Sequence, residues 1–362
     1  MSKDKKNQFV PDYAVPPGET LLETLEAIGM SQAELAERTG RPKKTINEII
    51  KGKAAITPET ALQFERVLGT PAGFWNNLER NYQETLARIN EQKNLRRQID
   101  WLQKMPLNAL IKMGCVKKHS DRVQQFQKVL NFFGIATPEQ WERRWLGADV
   151  SYRKSTVFKS DPYAVASWLR MGELIAQKIS CKPFDAGQFK SVLKEIGSLT
   201  TQPPEVFKSE LIRLCSGTGV AVVFVPELQK IRTSGATWWQ NPQKAVIQLS
   251  LRYKSYDQLW FSFFHEAGHI LLHGKKEVFI EDESKGSRED EADKFASDIL
   301  IPPKEYRKFI ETGNCSKVAI RKFAADLGIA PGIIVGRLQH DGKIQHSFCN
   351  DLKKRFEWEK SE

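Results

Sequence analysis

The chain has 362 residues, enough for two or three domains with sizeable cores. Its 40% hydrophobic and 27% charged residues are ordinary for a soluble globular protein. No run approaches the ~18 apolar residues of a membrane helix, so the sequence predicts no membrane partner.

Lys+Arg number 55 against 44 Asp+Glu, a net charge of +11, which favours an anionic partner such as nucleic acid. Five scattered cysteines (Cys115, Cys181, Cys215, Cys315, Cys349) form no Cys-x-x-Cys pair. They read as reduced thiols, neither a disulfide framework nor a zinc finger, and imply a cytoplasmic location. The opening Met1-Ser-Lys-Asp-Lys-Lys6 is polar and lacks a signal core. Residues 1–15 are expected to be a flexible N-terminus.

Residues 16–92 carry a helical pattern. Pro16-Pro17-Gly18 breaks the chain, and Leu21, Leu22, Leu25 and Ile28 form one stripe, stopped by Gly29. Ser31 and Glu34 have capping-box spacing. The short helix they open turns Leu35 and Ala36 inward and closes at Gly40. After Gly40-Arg41-Pro42 comes a basic helix, Lys43 to Lys51, with Ile46, Ile49 and Ile50 as its core face. Thr57-Pro58 starts a fourth helix, and a fifth, with Phe74 and Trp75, runs past Tyr82.

Two short helices across a tight turn, the second basic at its start, form a helix-turn-helix. The second can enter the major groove of double-stranded DNA. Ser31 and Gln32 can reach phosphates from a helix N-terminus, and Lys43, Lys44 and Lys51 are further phosphate candidates. Arg41, Thr45, Asn47 and Glu48 are candidates for base contacts or their neighbourhood. Ser31-Gln-Ala-Glu-Leu-Ala36, Ile46-Asn47-Glu48-Ile49 and Ile56-Thr57-Pro58-Glu59-Thr60-Ala61 resemble the HigA/VapI-type helix-turn-helix antitoxins (XRE-like). The resemblance implies operator binding as a homodimer and pairing with a RelE-like toxin.

Residues 93–203 are expected to be a helical connecting region. Residues 93–154 hold 13 Lys/Arg against 5 Asp/Glu. Trp101, Phe126, Phe133, Trp141 and Trp145 run through them, which excludes a disordered basic tail. The basic surplus reads as solvated helix faces, with a second DNA-backbone surface as the rival. Two helices are expected over 161–179 and 184–196.

Residues 204–362 carry the chemistry. A helix over 206–216 precedes a buried strand over 219–225; strands over 234–240 and 245–250 follow as a hairpin. Trp238 and Trp239 fall on opposite faces, one in the core and the other a candidate for a cleft wall. Then comes an apolar run from Trp260 to His273 containing His265-Glu266-Ala-Gly-His269. Four residues apart on a helix, the two histidines share a face and can hold one zinc ion. Glu266 lies about 100° round the helix, near enough to the ion's water to act as general base.

His273 lies roughly 6 Å further up the axis, too far to share that ion, and is expected to cap the helix with Gly274. A second amphipathic helix, with Ala292, Phe295, Ala296 and Leu300 inward, ends at Pro302. Glu289 can supply the third ligand, leaving an open position as in catalytic zinc sites, and Asp293 can bond the free nitrogen of a ligand histidine. Glu291 is the rival third ligand. Arg252, Tyr253 and His340 are candidate oxyanion donors. Helices are expected over 317–327 and 331–339, and a charged helix over 350–362.

His265-Glu-Ala-Gly-His269, Glu289-Asp-Glu-Ala-Asp293-Lys-Phe-Ala296 and Leu300-Ile-Pro302 resemble the ImmA/IrrE family of zinc metallopeptidases, as do Ser234 to Trp239 and Val246 to Ser250. The resemblance implies a gluzincin-like domain, zinc, peptide hydrolysis and cleavage of a partner regulator.

The expected fold is mainly α with a small β-sheet (α+β). The expected function is a sequence-specific DNA-binding regulator or antitoxin of a toxin–antitoxin module, with a zinc peptidase domain that cleaves a regulator or toxin. The alternatives are a stress-responsive peptidase-regulator without a toxin, and a non-catalytic binding module on the peptidase fold.

Overall fold

The computed structural model describes residues 13–146, 160–229, 231–250, 252, 254–275, 278–280 and 286–356. The chain divides into two compact units, Met1–Ile99 and Asp100–Glu362. It is α+β: helices dominate and one four-stranded sheet lies in the second unit. Among the described residues, no helix is long and apolar enough to cross a membrane.

The first unit is five helices: α1 (Pro17–Ile28), α2 (Gln32–Thr39), α3 (Lys43–Ile50), α4 (Pro58–Leu68) and α5 (Ala72–Arg97). Leu21, Leu25, Leu35, Ile46, Ile49, Phe64 and Trp75 make its core. Ile28, expected on the α1 stripe, is 52% exposed. It is the last helical residue, where the left-handed Gly29 turns the chain away. Ser31 accepts the Glu34 amide at 3.1 Å, but the Glu34 carboxylate pairs with Arg38, so only half of the expected capping box forms. Thr57 caps α4 by accepting the Thr60 amide.

The second unit opens with α6 (Leu107–Lys112), α7 (Arg122–Phe133) and α8 (Pro138–Leu146). Trp101 and Phe133 pack edge-to-face on Trp141, Trp145 packs edge-to-face on Phe133, and Trp141 stacks on Tyr163 with centroids 4.6 Å apart. Next come α9 (Pro162–Ala176), capped by Asp161, α10 (Ala186–Leu199), capped by Asp185, and α11 (Pro204–Ser216).

The strands are β1 (Val220–Phe224), β2 (Gly235–Asn241) and β3 (Lys244–Leu249). Then follow α12 (Tyr256–Leu272), β4 (Phe279–Ile280), α13 (Ser287–Leu300), α14 (Pro303–Glu311), α15 (Lys317–Leu327) and α16 (Pro331–His340). The sheet order is β1-β3-β2-β4; β1 runs parallel to β3, and both other pairings are antiparallel. Gln248 Nε2 donates to Trp168 O at 2.8 Å and Trp168 Nε1 to Val225 O at 3.0 Å, which pins α9 to the sheet. Lys244 Nζ donates to the carbonyls of Ala176 and Ile179, satisfying the end of α9.

Of the charged helix expected over 350–362, the described part holds only a 3-10 turn, Asn350–Leu352, and a bridge from Arg355 to Ser255. Leu352 and Phe356 enter the core instead. Residues 357–362 lie outside the described residues.

Candidate metal centre and nucleic-acid interface

The helix α12 is apolar nearly all round, as a helix at the centre of a core must be. It packs on β2 and β3 on one side, and on α13 and α16 on the others. His265 and His269, 2% and 1% exposed, lie one above the other with Nε2 atoms 3.0 Å apart. Between them, Gly268 lets α13 come close: a Cβ there would stand 3.1 Å from Phe295 Cδ1 and 3.3 Å from Ala292 Cα. That approach brings Glu289 Oε2 to 3.1 Å from His265 Nε2 and 3.6 Å from His269 Nε2.

Among the described residues, His265, His269 and Glu289 offer donor atoms that all lie within 4.8 Å of one another. Asp293 Oδ1 sits 2.8 Å from His265 Nδ1. An ionised carboxylate only accepts, so it draws the ring's N–H to Nδ1 and leaves Nε2 as a lone pair. Lone pairs converging in a buried spot repel one another unless a cation sits among them. The donor set therefore fits a metal ion. Burial is the leading cause holding His269 below the ordinary histidine pKa, which keeps the ring neutral. Burial pushes the Glu289 carboxyl up, but its contacts with the His265 and His269 rings outweigh it and bring the group down to about 2.

Glu266 is fully buried. Its carboxylate packs on Gly235, where a Cβ would lie 2.6 Å from Oε1, and Thr237 Oγ1 donates to its backbone carbonyl at 3.3 Å. A cleft of about 530 Å³ opens beside the donor set, with His265, Glu289, Asp293, Ile333, Arg337 and Lys353 among its lining residues. Arg252 and His340 also line it; Tyr253 lies outside the described residues. The lining residues do not include Glu266, His269, Trp238 or Trp239. Trp239 instead packs against Phe184 with Lys275 over its ring.

Glu291, the rival third ligand, turns away from the two rings: its Oε2 is 3.3 Å from His273 Nε2. His273 occupies the C-cap of α12, and its amide bonds to His269 O. Its ring goes to His269, with the two Nδ1 atoms 2.9 Å apart. Sequence reasoning missed this contact. The signal was the repeated four-residue spacing from His265 through His269 to His273.

In the first unit, Ser31, Lys43, Lys44 and Lys51 are exposed, while Gln32, Arg41, Thr45, Asn47 and Glu48 are half-buried. All lie on α2, α3 or the turns that flank them. Arg41 Nε donates to Gln63 on α4, and Lys44 Nζ stands 3.9 Å from Glu48.

Comparison with known proteins matches residues 21–75 to the helix-turn-helix family and residues 215–339 to the IrrE N-terminal-like domain. The uncharacterized HTH-type transcriptional regulator YddM of Escherichia coli is 33% identical over 63 residues, covering 17% of this chain and 67% of that protein. Virulence-associated protein I of Dichelobacter nodosus is 35% identical over 80 residues, 22% of this chain and 74% of that one. A solved addiction module antidote protein of the HigA family from Coxiella burnetii is 32% identical, with 23% of this chain and 92% of that chain covered and a TM-score of 0.22. The chain thus belongs to the helix-turn-helix family through residues 21–75 and carries an IrrE N-terminal-like peptidase domain over residues 215–339.

Proposed function

We propose that the chain is a DNA-binding transcriptional regulator of the antitoxin kind whose second unit holds zinc and hydrolyses peptide bonds in a partner regulator or toxin. The observation that carries the hydrolytic half is the convergence of His265, His269 and Glu289, two of which, His265 and Glu289, line a cleft. Two imidazoles and one carboxylate with a fourth position open is the donor set of catalytic zinc sites. A zinc ion held there supplies Lewis-acid polarisation and acidifies water to a pKa of ~7.

The chain's own residues do the rest. Glu266 takes a proton from the attacking water and delivers it to the leaving amine nitrogen. Asp293 holds the His265 ring through Nδ1. Arg252 and His340, on the cleft wall, are the donors available to a developing oxyanion. An extended substrate segment can add along the sheet edge.

For the DNA half, Lys43, Lys44 and Lys51 contact phosphates, assisted by Ser31 and Gln32 at the start of α2. Thr45, Asn47 and Glu48 face base edges, and Arg41, held by Gln63, borders them. A homodimer would span two half-sites. The likeness to YddM, an uncharacterized HTH-type transcriptional regulator, supports this half.

The test joins metal analysis to cleavage of candidate regulators and toxins, with Glu266→Gln as control. Wild type is expected to carry one zinc per chain and cleave; the variant keeps zinc and loses about 10²–10⁴-fold in rate. A wild-type protein without zinc, or unchanged cleavage in the variant, overturns the hydrolytic half. Failure to shift its own promoter DNA at moderate salt overturns the other. One observation favours a second reading, a metal-holding module that binds a partner without turnover: Glu266 is fully buried and absent from the cleft wall. Zinc binding with no cleavage of any partner by the wild type decides for it.

A further inference from the structure

His273 stands outside the donor set, yet its side chain is only 5% exposed. At the C-cap of α12 its backbone is extended, with φ −117° and ψ 169°. Four residues beyond His269, its ring lies against that of His269. Two ring nitrogens 2.9 Å apart need one proton between them. Glu291, 3.3 Å from the far nitrogen of His273, decides which ring carries it. An ionised carboxylate only accepts, so His273 bears its N–H at Nε2. A neutral imidazole has a single N–H, so His273 Nδ1 accepts. The shared proton then belongs to His269 Nδ1, and His269 Nε2 keeps its lone pair toward His265 and Glu289. Phe279 lies flat on the His269 ring, centroids 4.3 Å apart at 15°, and limits its tilt.

Resting on the metal-centre reading above, we propose that His273 is a positioning residue: it accepts the Nδ1 proton of His269 and, oriented by Glu291, holds that ring in its metal-binding tautomer. The two ring ligands are thus fixed differently. A carboxylate does it directly for His265, through Asp293. For His269 a carboxylate acts through an intervening imidazole.

The test uses the full chain, with zinc affinity measured by competition with a chromogenic chelator and the ligand-field spectrum of the cobalt(II)-substituted protein as a second readout. His273→Phe keeps a ring beside Phe279 but has no acceptor. His273→Asn loses the ring and keeps an acceptor, its amide oxygen standing near the place of Nδ1. The Phe variant is expected to bind zinc about 10–100-fold more weakly and to alter the cobalt spectrum, while the Asn variant stays close to wild type. Glu291→Ala loses less, because that side chain is 60% exposed and water can replace it.

A Phe variant that binds as tightly as wild type overturns the proposal. So does an Asn variant that falls as far as the Phe variant, since an acceptor at that place would then not be what holds the His269 ring. Melting of the metal-free proteins checks the fold; should the Phe variant not fold, His273→Leu takes its place with the same expectation. A wild-type chain that binds no zinc removes the metal centre itself, and the proposal with it, whereas tight wild-type binding with an unaffected Phe variant removes only the role of His273.

Discussion

Gly235 is where β2 begins, and the side chain it lacks is what gives Glu266 room. A methyl group there would lie 2.6 Å from Glu266 Oε1 and 2.8 Å from its Cγ. Both atoms belong to a residue buried between sheet and helix, so the carboxylate has nowhere easy to go. Gly235→Ala is expected to destabilise the second unit by about 1–3 kcal/mol, as overpacking does. Zinc content should be retained and peptide cleavage should fall, because the clash moves Glu266 and not the ligands. Thermal melting, metal stoichiometry and a cleavage assay read the three effects separately; an unchanged rate would show that Glu266 need not stay where it is. Gly172 makes the same argument for the sheet: a Cβ there would meet Gln248 Oε1 at 1.8 Å, and Gln248 is the side chain that ties α9 to β3.

Between elements, Asp341 joins α14 to the end of α16. Its Oδ2 accepts from Tyr306 Oη and from Arg337 Nε, both at 2.8 Å. Burial pushes the Asp341 carboxyl up, but hydrogen bonds from His340, Tyr306 and Arg337 outweigh it and hold the group below its usual value of 3.8. A depressed carboxyl adds stability that is complete above its unfolded value and disappears as pH falls through its folded one. The melting-temperature gap between wild type and Asp341→Asn should therefore be widest above pH 3.8 and narrow below it. A gap that does not change with pH would mean that the ionised carboxylate is not what joins the two helices.

The long elements were legible because their periods are long. The stripe Ala292, Ala296 and Leu300 on α13 and the four-residue spacing of His265 and His269 survive any error of a residue or two at a helix end. A two-residue strand such as β4 has no period to read. The helix α14 has an apolar face in Tyr306, Phe309 and Ile310, but it starts at Pro303, within a Pro302-Pro303 pair that as sequence marks a stop. The His269–His273 contact was hidden for a different reason. Four-residue spacing brings the two rings within reach, but which of their nitrogens meet is set by rotamers that the sequence does not fix. At the C-terminus, charge suggested an exposed helix over 350–362, whereas Leu352 and Phe356 are pulled into the core.

At the scale of the molecule, each unit has its own core, and the helix-turn-helix and the candidate metal centre lie in different units. The DNA half answers to salt. Lys43, Lys44 and Lys51 are exposed beside α3, and every phosphate neutralised releases condensed counterions. Lys44→Ala is expected to weaken binding evenly across operator variants and to flatten the log-affinity against log-salt slope by about 1. Titrations at several salt concentrations check it, and a change confined to one operator position would assign the residue to a base instead.

The candidate metal centre answers to a single strand. Gly235 of β2 seats Glu266, and Thr237 ties down the backbone of α12. The pairing of Ala236 and Thr237 with β4 lays Phe279 on the His269 ring. A slip of β2 by one residue would turn each of these positions to the opposite face. It would put Ser234 and Ala236, or Ala236 and Trp238, where Gly235 and Thr237 are required, so the hairpin's alignment and the candidate metal centre stand or fall as one.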